Sequence, residues 1–144
     1  MLSTPHLMVG AAIVRSIPNP YISLPAAFLS HFIFDFIPHW DFSISLRPKH
    51  LFSALADYGV GLLLIFLISI GDTNQLLIIL GGIAATLPDF ILGGWRVLEI
   101  SILNIPPIKS LNNFHQNIQN RVSIFWGGLV SIITILVSVY ILVK

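Results

Sequence analysis

Residues 51–92 read LFSALADYGVGLLLIFLISIGDTNQLLIILGGIAATLPDFIL, and this stretch decides the fold. Two apolar runs, 51–70 and 76–92, are separated only by Gly71-Asp72-Thr73-Asn74-Gln75, a polar turn with room for nothing but a helical hairpin. A helix rises about 1.5 Å per residue, so crossing a hydrocarbon core of about 30 Å takes roughly 20 apolar residues. Both runs come close to that length. A third run, 122–143, is uncharged throughout and rich in Ile and Val. All three read as membrane spans.

The rest of the chain agrees with that solvent. Of its 144 residues 56% are hydrophobic and only 9% charged, and the mean hydropathy is +0.91. Soluble domains average roughly 45–50% apolar and about 25% charged. The composition excludes a disordered chain, a basic nucleic-acid-binding domain and most soluble enzymes. Seven Lys and Arg against six Asp and Glu leave a net charge of +1, too little for a field that attracts nucleic acid. With no cysteine there is no disulfide, thiolate metal site or Cys nucleophile, so chemistry falls to His, Asp, Glu and Ser/Thr.

The N-terminal part is less regular. Residues 5–17 are mostly apolar but short for a span, and Pro18-Asn19-Pro20 breaks them from a second helical stretch, 21–37, which Pro38 ends. This pair reads as a tight helical hairpin whose short arm is tilted or shielded by protein. The start lacks a basic n-region, so a cleavable signal peptide is not expected. Residues 93–121 mix Trp95, Arg96, Glu99 and Lys109 with Val97, Leu98 and Ile100, as an interfacial amphipathic stretch does. The expected architecture is a single all-α domain, 1–144. It is an integral membrane bundle of about five helices: an N-terminal hairpin, three spans and one interfacial segment.

Threading five helices back and forth gathers the polar residues. If the chain starts at end A, then His6, His31, Asp35, His39, Asp41, Asp57, Asp89 and His115 all fall toward that end. Arg15, Asp72 and Lys144 fall at end B. His31, Asp35 and His39 are spaced i, i+4, i+8, one stripe of a helix until Pro38 stops it. Ionisable groups inside membrane segments are expensive and by default mark a site or an ion path. Imidazole and carboxylate together form the ligand set of Zn, Mn, Fe or Ni, and several carboxylates among histidines suggest two or more ions. Asp57, the only acid inside the third helix, and Asp41 are the candidates for general base or orienter. Each residue has a plainer reading too. His31 and Asp35 can satisfy each other as an i,i+4 pair, and His39, Asp41 and Asp89 sit at helix ends. His50 lies in a basic loop with Arg47 and Lys49. Read as a path across the bilayer, the same residues describe a metal or proton transporter; read as a closed shell, a scaffold with a structural metal.

The block Ser30-His31-Phe32-Ile33-Phe34-Asp35-Phe36-Ile37-Pro38-His39-Trp40-Asp41 resembles the His-xxx-Asp-xx-Pro-His-x-Asp signature of small membrane-bound metal-dependent hydrolases. Thr4-Pro5-His6 with Gly10 is similar to that group's N-terminal Thr-His-xxx-Gly motif, with Pro5 intervening, and Leu87-Pro88-Asp89 resembles its Leu-Pro-Asp turn. The group is distantly reminiscent of zinc-dependent phospholipase C and S1/P1 nuclease. The resemblance implies that His6, His31, Asp35, His39, Asp41 and Asp89 are metal ligands or their close neighbours; Asp57 and His115 come from the threading. The chain departs from the group at Phe90, where many relatives have a second acid, and lacks the His-Arg…His-Ser element of larger relatives. The expectation is a divalent-metal hydrolase, with Zn favoured over Mn or Fe, acting on a phosphoester in a lipid headgroup. Arg47, Lys49, Arg96, Lys109 and Arg121 at end A place the site on the cytoplasmic face of a prokaryotic plasma membrane, with the C-terminus outside.

Overall fold

The computed structural model describes residues 1–41 and 47–144; the side chains of Pro48, Arg96 and Val97 also lie outside the described residues. Arg96, counted above with the basic residues of end A, is therefore placed by its backbone alone. The described residues are helical, with no strand among them. The helices are α1 (Ser3–Ser16), α2 (Pro20–Phe36), α3 (Pro48–Ile68), α4 (Gln75–Pro88), the short α5 (Gly94–Val97), α6 (Pro106–Ile118) and α7 (Ile124–Val143). A π-helical turn, Asp89–Gly93, continues α4, and a 3-10 turn, Ser101–Asn104, precedes α6.

Three helices are long and apolar enough to cross a membrane: Lys49–Ile68, Gln75–Gly93 and Ile124–Val143. Their bounds lie within about three residues of the runs read from sequence. The helix count differs. Six helices have 13 residues or more, because the segment read as one interfacial stretch contains a helix of its own, α6. Pro106 and Pro107 start it with preset φ angles where no N–H partner is needed.

The short N-terminal helix is the centre of the bundle. Helix α1 packs against α2, α3, α4 and α7, and ten of its 14 residues are buried. That resolves why a helix too short to span is stable here: protein shields it. Small residues allow the approach. A Cβ on Gly10 would lie 2.2 Å from the Gly81 carbonyl oxygen, and one on Gly81 would lie 2.7 Å from the Gly10 oxygen. The α1 and α4 backbones thus touch at paired glycines, the close approach that small-residue helix interfaces permit. Leu7, Met8, Val14, Ile65 and Ile78 fill the core around this crossing. The outer faces of α3 and α7 expose Phe52, Leu55, Leu63, Phe66, Ile132 and Leu136, an exterior suited to hydrocarbon.

Two contacts show that the ends are sorted as the threading requires. Arg15 near the end of α1 pairs with Asp72 in the α3–α4 turn, which joins them at end B. At end A the chain leaving α2 meets the α6–α7 connector: the His39 N–H donates to Asn120 O (2.9 Å) and the Val122 N–H donates to His39 O (3.0 Å). Gly127 at the start of α7 lies against Trp40, where a Cβ would come within 2.1 Å of the Trp40 nitrogen. These contacts hold the segment after Pro38 against the bundle.

Candidate metal centre

The site is built at end A from three separate elements. Helix α2 carries His31 and Asp35 one turn apart on its buried face. Helix α6 buries a single residue among those described, His115, and lays it against them. Asp89 opens the π-helical turn that continues α4 after Pro88, and such turns recur at functional positions.

The donor atoms of His31, Asp35, Asp89 and His115 all lie within 4.8 Å of one another. His31 Nε2 is 3.0 Å from His115 Nε2 and 3.2 Å from Asp35 Oδ2. His115 Nε2 is 3.0 Å from Asp35 Oδ2. Asp89 Oδ1 stands 3.6 Å from His31 Nε2 and 3.5 Å from His115 Nε2. A tetrahedral zinc ion with bonds of about 2.0–2.1 Å sets its ligand atoms about 3.3–3.4 Å apart. Five of the six edges of this group therefore already have nearly the separation that such an ion requires.

Proton accounting points the same way. His31 Nδ1 lies 2.9 Å from the Ala85 carbonyl oxygen. A carbonyl only accepts, so Nδ1 carries a proton, and Nε2 faces Asp35 and His115. This is the arrangement by which a backbone carbonyl orients a metal-ligating histidine. Two imidazole nitrogens 3.0 Å apart, each beside the same carboxylate oxygen, converge on one point, as ligands of a shared cation do. The residues therefore fit a divalent metal ion. His31, Asp35 and His115 are buried, whereas the Asp89 side chain is 23% exposed, which makes Asp89 the side from which the group is reached.

The other oxygen of Asp35 faces a second set. His6 Nε2 is 3.1 Å and His39 Nε2 3.9 Å from Oδ1, and the Met1 nitrogen lies 2.8 Å from it and 3.7 Å from Asp41 Oδ2. The His6 and His31 rings stack with centroids 4.3 Å apart. His39 Nδ1 donates to Ile37 O at 2.8 Å, which leaves its Nε2 buried with no hydrogen-bond partner among the described residues. Burial lowers His39 below the usual 6.5, so the ring is neutral at pH 7.

Of the eight residues singled out in the sequence, four form the tetrahedral group and three, His6, His39 and Asp41, adjoin it around Asp35 Oδ1. Asp57 is engaged elsewhere. Its Oδ2 accepts the Ser3 N–H at 2.6 Å and the Thr4 N–H at 3.3 Å, and the Thr4 hydroxyl lies 2.7 Å from both its Oδ1 and its backbone oxygen. An acid from α3 thus caps the first turn of α1, where backbone donors lack helical partners and the helix dipole favours negative charge. The sequence reading missed two contributors, the Ala85 carbonyl and the Asn120 carbonyl that holds His39. Backbone oxygens carry no residue signature, so no signal in the sequence marks them. No protein-family model matches the chain, and comparison with curated proteins and with solved structures finds no significant match.

Proposed function

We propose that this chain is an integral membrane, metal-dependent hydrolase of phosphoesters, acting on lipid headgroups from end A. One observation carries the reading: the near-tetrahedral set His31, Asp35, Asp89 and His115, assembled from three elements beside helices suited to lipid. These four residues would hold one divalent ion, zinc by the His/Asp donor set and spacing, with manganese or iron as alternatives. The position beside Asp35 Oδ1, bounded by His6, His39 and Asp41, would hold a second. Such ions supply Lewis acidity toward phosphoryl oxygens and lower the pKa of water to about 7.

The chain's own residues do the rest. Asp35 joins the two positions through its two oxygens. Asp41, partly exposed, is the residue placed to take a proton from an attacking water. Asp57 holds the first turn of α1, and with it His6, in register. The excess of basic residues at end A orients that face to the cytoplasm and the C-terminus outward. A transport path is disfavoured by what lies between the ends: on α1 the residues from Leu7 to Val14 are apolar or glycine, and the polar group at end B, Arg15 with Asp72, is already paired. A purely structural metal is the second reading, favoured by a shell that four protein ligands can close.

The test is metal analysis of protein purified without added metal, together with release of phosphate or headgroup from phospholipid vesicles. The expected result is at least one bound ion per chain, lost in His31→Ala and Asp35→Asn, with headgroup release that Asp41→Asn reduces at least tenfold. Bound metal with no release from any phospholipid supports the structural reading. Metal-free protein of full stability ends both.

A further inference from the structure

We propose that helix α6 is seated in the interface of the end-A lipid leaflet by Leu111 and Phe114, and that this seat holds His115 at the cluster. The second half rests on the metal reading above. Helix α6 has no core face of its own. Of its 13 residues only His115 is buried among those described, and Leu111 and Phe114 stay 45% and 52% exposed. A helix of this length is marginal in water without a packed face, so α6 needs a further partner along that edge.

Three observations select the lipid interface as that partner. The first is level. Helix α6 lies in the connection between Gln75–Gly93 and Ile124–Val143, both long and apolar enough to span. His115 Nε2 lies 3.5 Å from Asp89, which belongs to the last part of the first of these helices, so α6 is held where that helix leaves the hydrocarbon. The second is pattern. Ile108, Leu111, His115 and Ile118 recur at intervals of three and four, which is one face of a helix, with Phe114 at its edge. Lys109, Ser110, Asn113 and Asn117 lie on the other side and are exposed. A helix of this kind lies in the interface plane with its apolar face at the acyl boundary. The third is continuity. The Phe114 ring is centred 6.0 Å from that of Phe32 on α2, and on the same helix Leu29, Ile33 and Phe36 are exposed. Phe125 and Trp126 at the start of α7 are exposed at the same end, as aromatic side chains are where a span meets the interface. The apolar edge of α6 thus continues a surface suited to lipid. Leu111 lies one turn before His115 on the same face, so a motion that lifts this edge into water also withdraws His115 from Asp35 and Asp89.

The chain has no cysteine, so Leu111→Cys, Asn113→Cys, Phe114→Cys and Asn117→Cys each give the full chain a single site for a nitroxide label. Each protein is reconstituted in phosphatidylcholine vesicles, and collision of the label with oxygen, which concentrates in hydrocarbon, is compared with collision with chromium oxalate, which stays in water. The ratio of oxygen to chromium oxalate collision is expected to be at least fivefold higher at Leu111→Cys and Phe114→Cys than at Asn113→Cys and Asn117→Cys. Equal ratios overturn the seat. So do labels at the first two positions that neither reagent reaches, as under a second copy of the chain or another protein. Zinc affinity in the same vesicles tests the hold on His115. Leu111 is exposed and outside the core, so its replacement leaves the bundle folded. Leu111→Asn weakens zinc binding at least tenfold and brings the ratio at Phe114→Cys down to that at Asn113→Cys, whereas Leu111→Met stays within twofold of wild type. Wild-type zinc affinity in Leu111→Asn, or a loss of zinc with the label at Phe114→Cys still in lipid, overturns the hold. Wild-type protein that binds no zinc removes the metal reading and the hold with it, while the labels still decide the seat.

Discussion

Replacing Asp57 by alanine removes the acceptor for the first turn of α1. The lost contacts are the Ser3 N–H at 2.6 Å, the Thr4 hydroxyl at 2.7 Å and the weaker Thr4 N–H at 3.3 Å. A hydrogen bond to a charged group contributes about 1.5–3 kcal/mol when buried, and loss of an N-terminal cap costs about 1 kcal/mol where water can substitute. Asp57 is only partly buried, so two good bonds discounted for solvent give about 2–4 kcal/mol for Asp57→Ala. Asp57→Asn keeps an acceptor oxygen and loses the charge, which predicts about 1 kcal/mol. At roughly 3 °C per kcal/mol for a chain near this size, the melting temperature falls by roughly 6–12 °C for alanine and roughly 3 °C for asparagine. The assay is thermal unfolding in detergent followed by metal analysis of the folded fraction. Metal content should stay at the wild-type level, because none of the four tetrahedral residues contacts Asp57 among the contacts above. Loss of metal in Asp57→Asn without a change in melting temperature would make Asp57 a ligand and refute the capping role.

Other expectations follow from the same geometry. His31→Ala and Asp35→Asn each leave buried partners unmatched and should release the tetrahedral ion, read as metal per chain. Asp89→Asn, at the exposed edge, should weaken metal affinity by about 10–100-fold while stability in detergent changes little. Gly10→Ala drives a methyl group into the Gly81 backbone and should cost about 3 kcal/mol or more, whereas Gly128→Ala meets nothing within 4 Å and should be neutral or slightly stabilising. Thermal unfolding of the pair decides whether α1 and α4 touch at their glycines. A reporter fused after Lys144 that is active only in the cytoplasm should be silent; activity would reverse the orientation.

The apolar runs at 51–70, 76–92 and 122–143 are visible in sequence because a helix able to cross a hydrocarbon core needs about 20 largely apolar residues in a row, a signal that neighbouring positions carry by themselves. The helical stripe of His31 and Asp35 is equally local, since a period of 3.6 residues places both on one face whatever surrounds them. The gathering of polar residues at one end followed from counting helices, and the Arg15–Asp72 pair is consistent with that sorting. Tertiary structure alone decided which polar residues share a site. Asp57 and Asp89 are both acids in apolar runs, yet one caps α1 and the other faces His31 and His115, because α6 and α2 pack beside the end of α4 while the start of α1 offers donors to Asp57. His115, drawn in by sequence only through the threading of helices, is brought to the site by the fold of α6, whose polar pattern alone does not say what it packs on. Burial of the short α1 is likewise decided by its partners: Gly81 and Gly82 lie 71 and 72 positions after Gly10, too far for any local pattern to register the fit. Local solvation and periodicity write themselves into neighbouring residues; ligand geometry depends on which distant backbones approach, and only packing sets that.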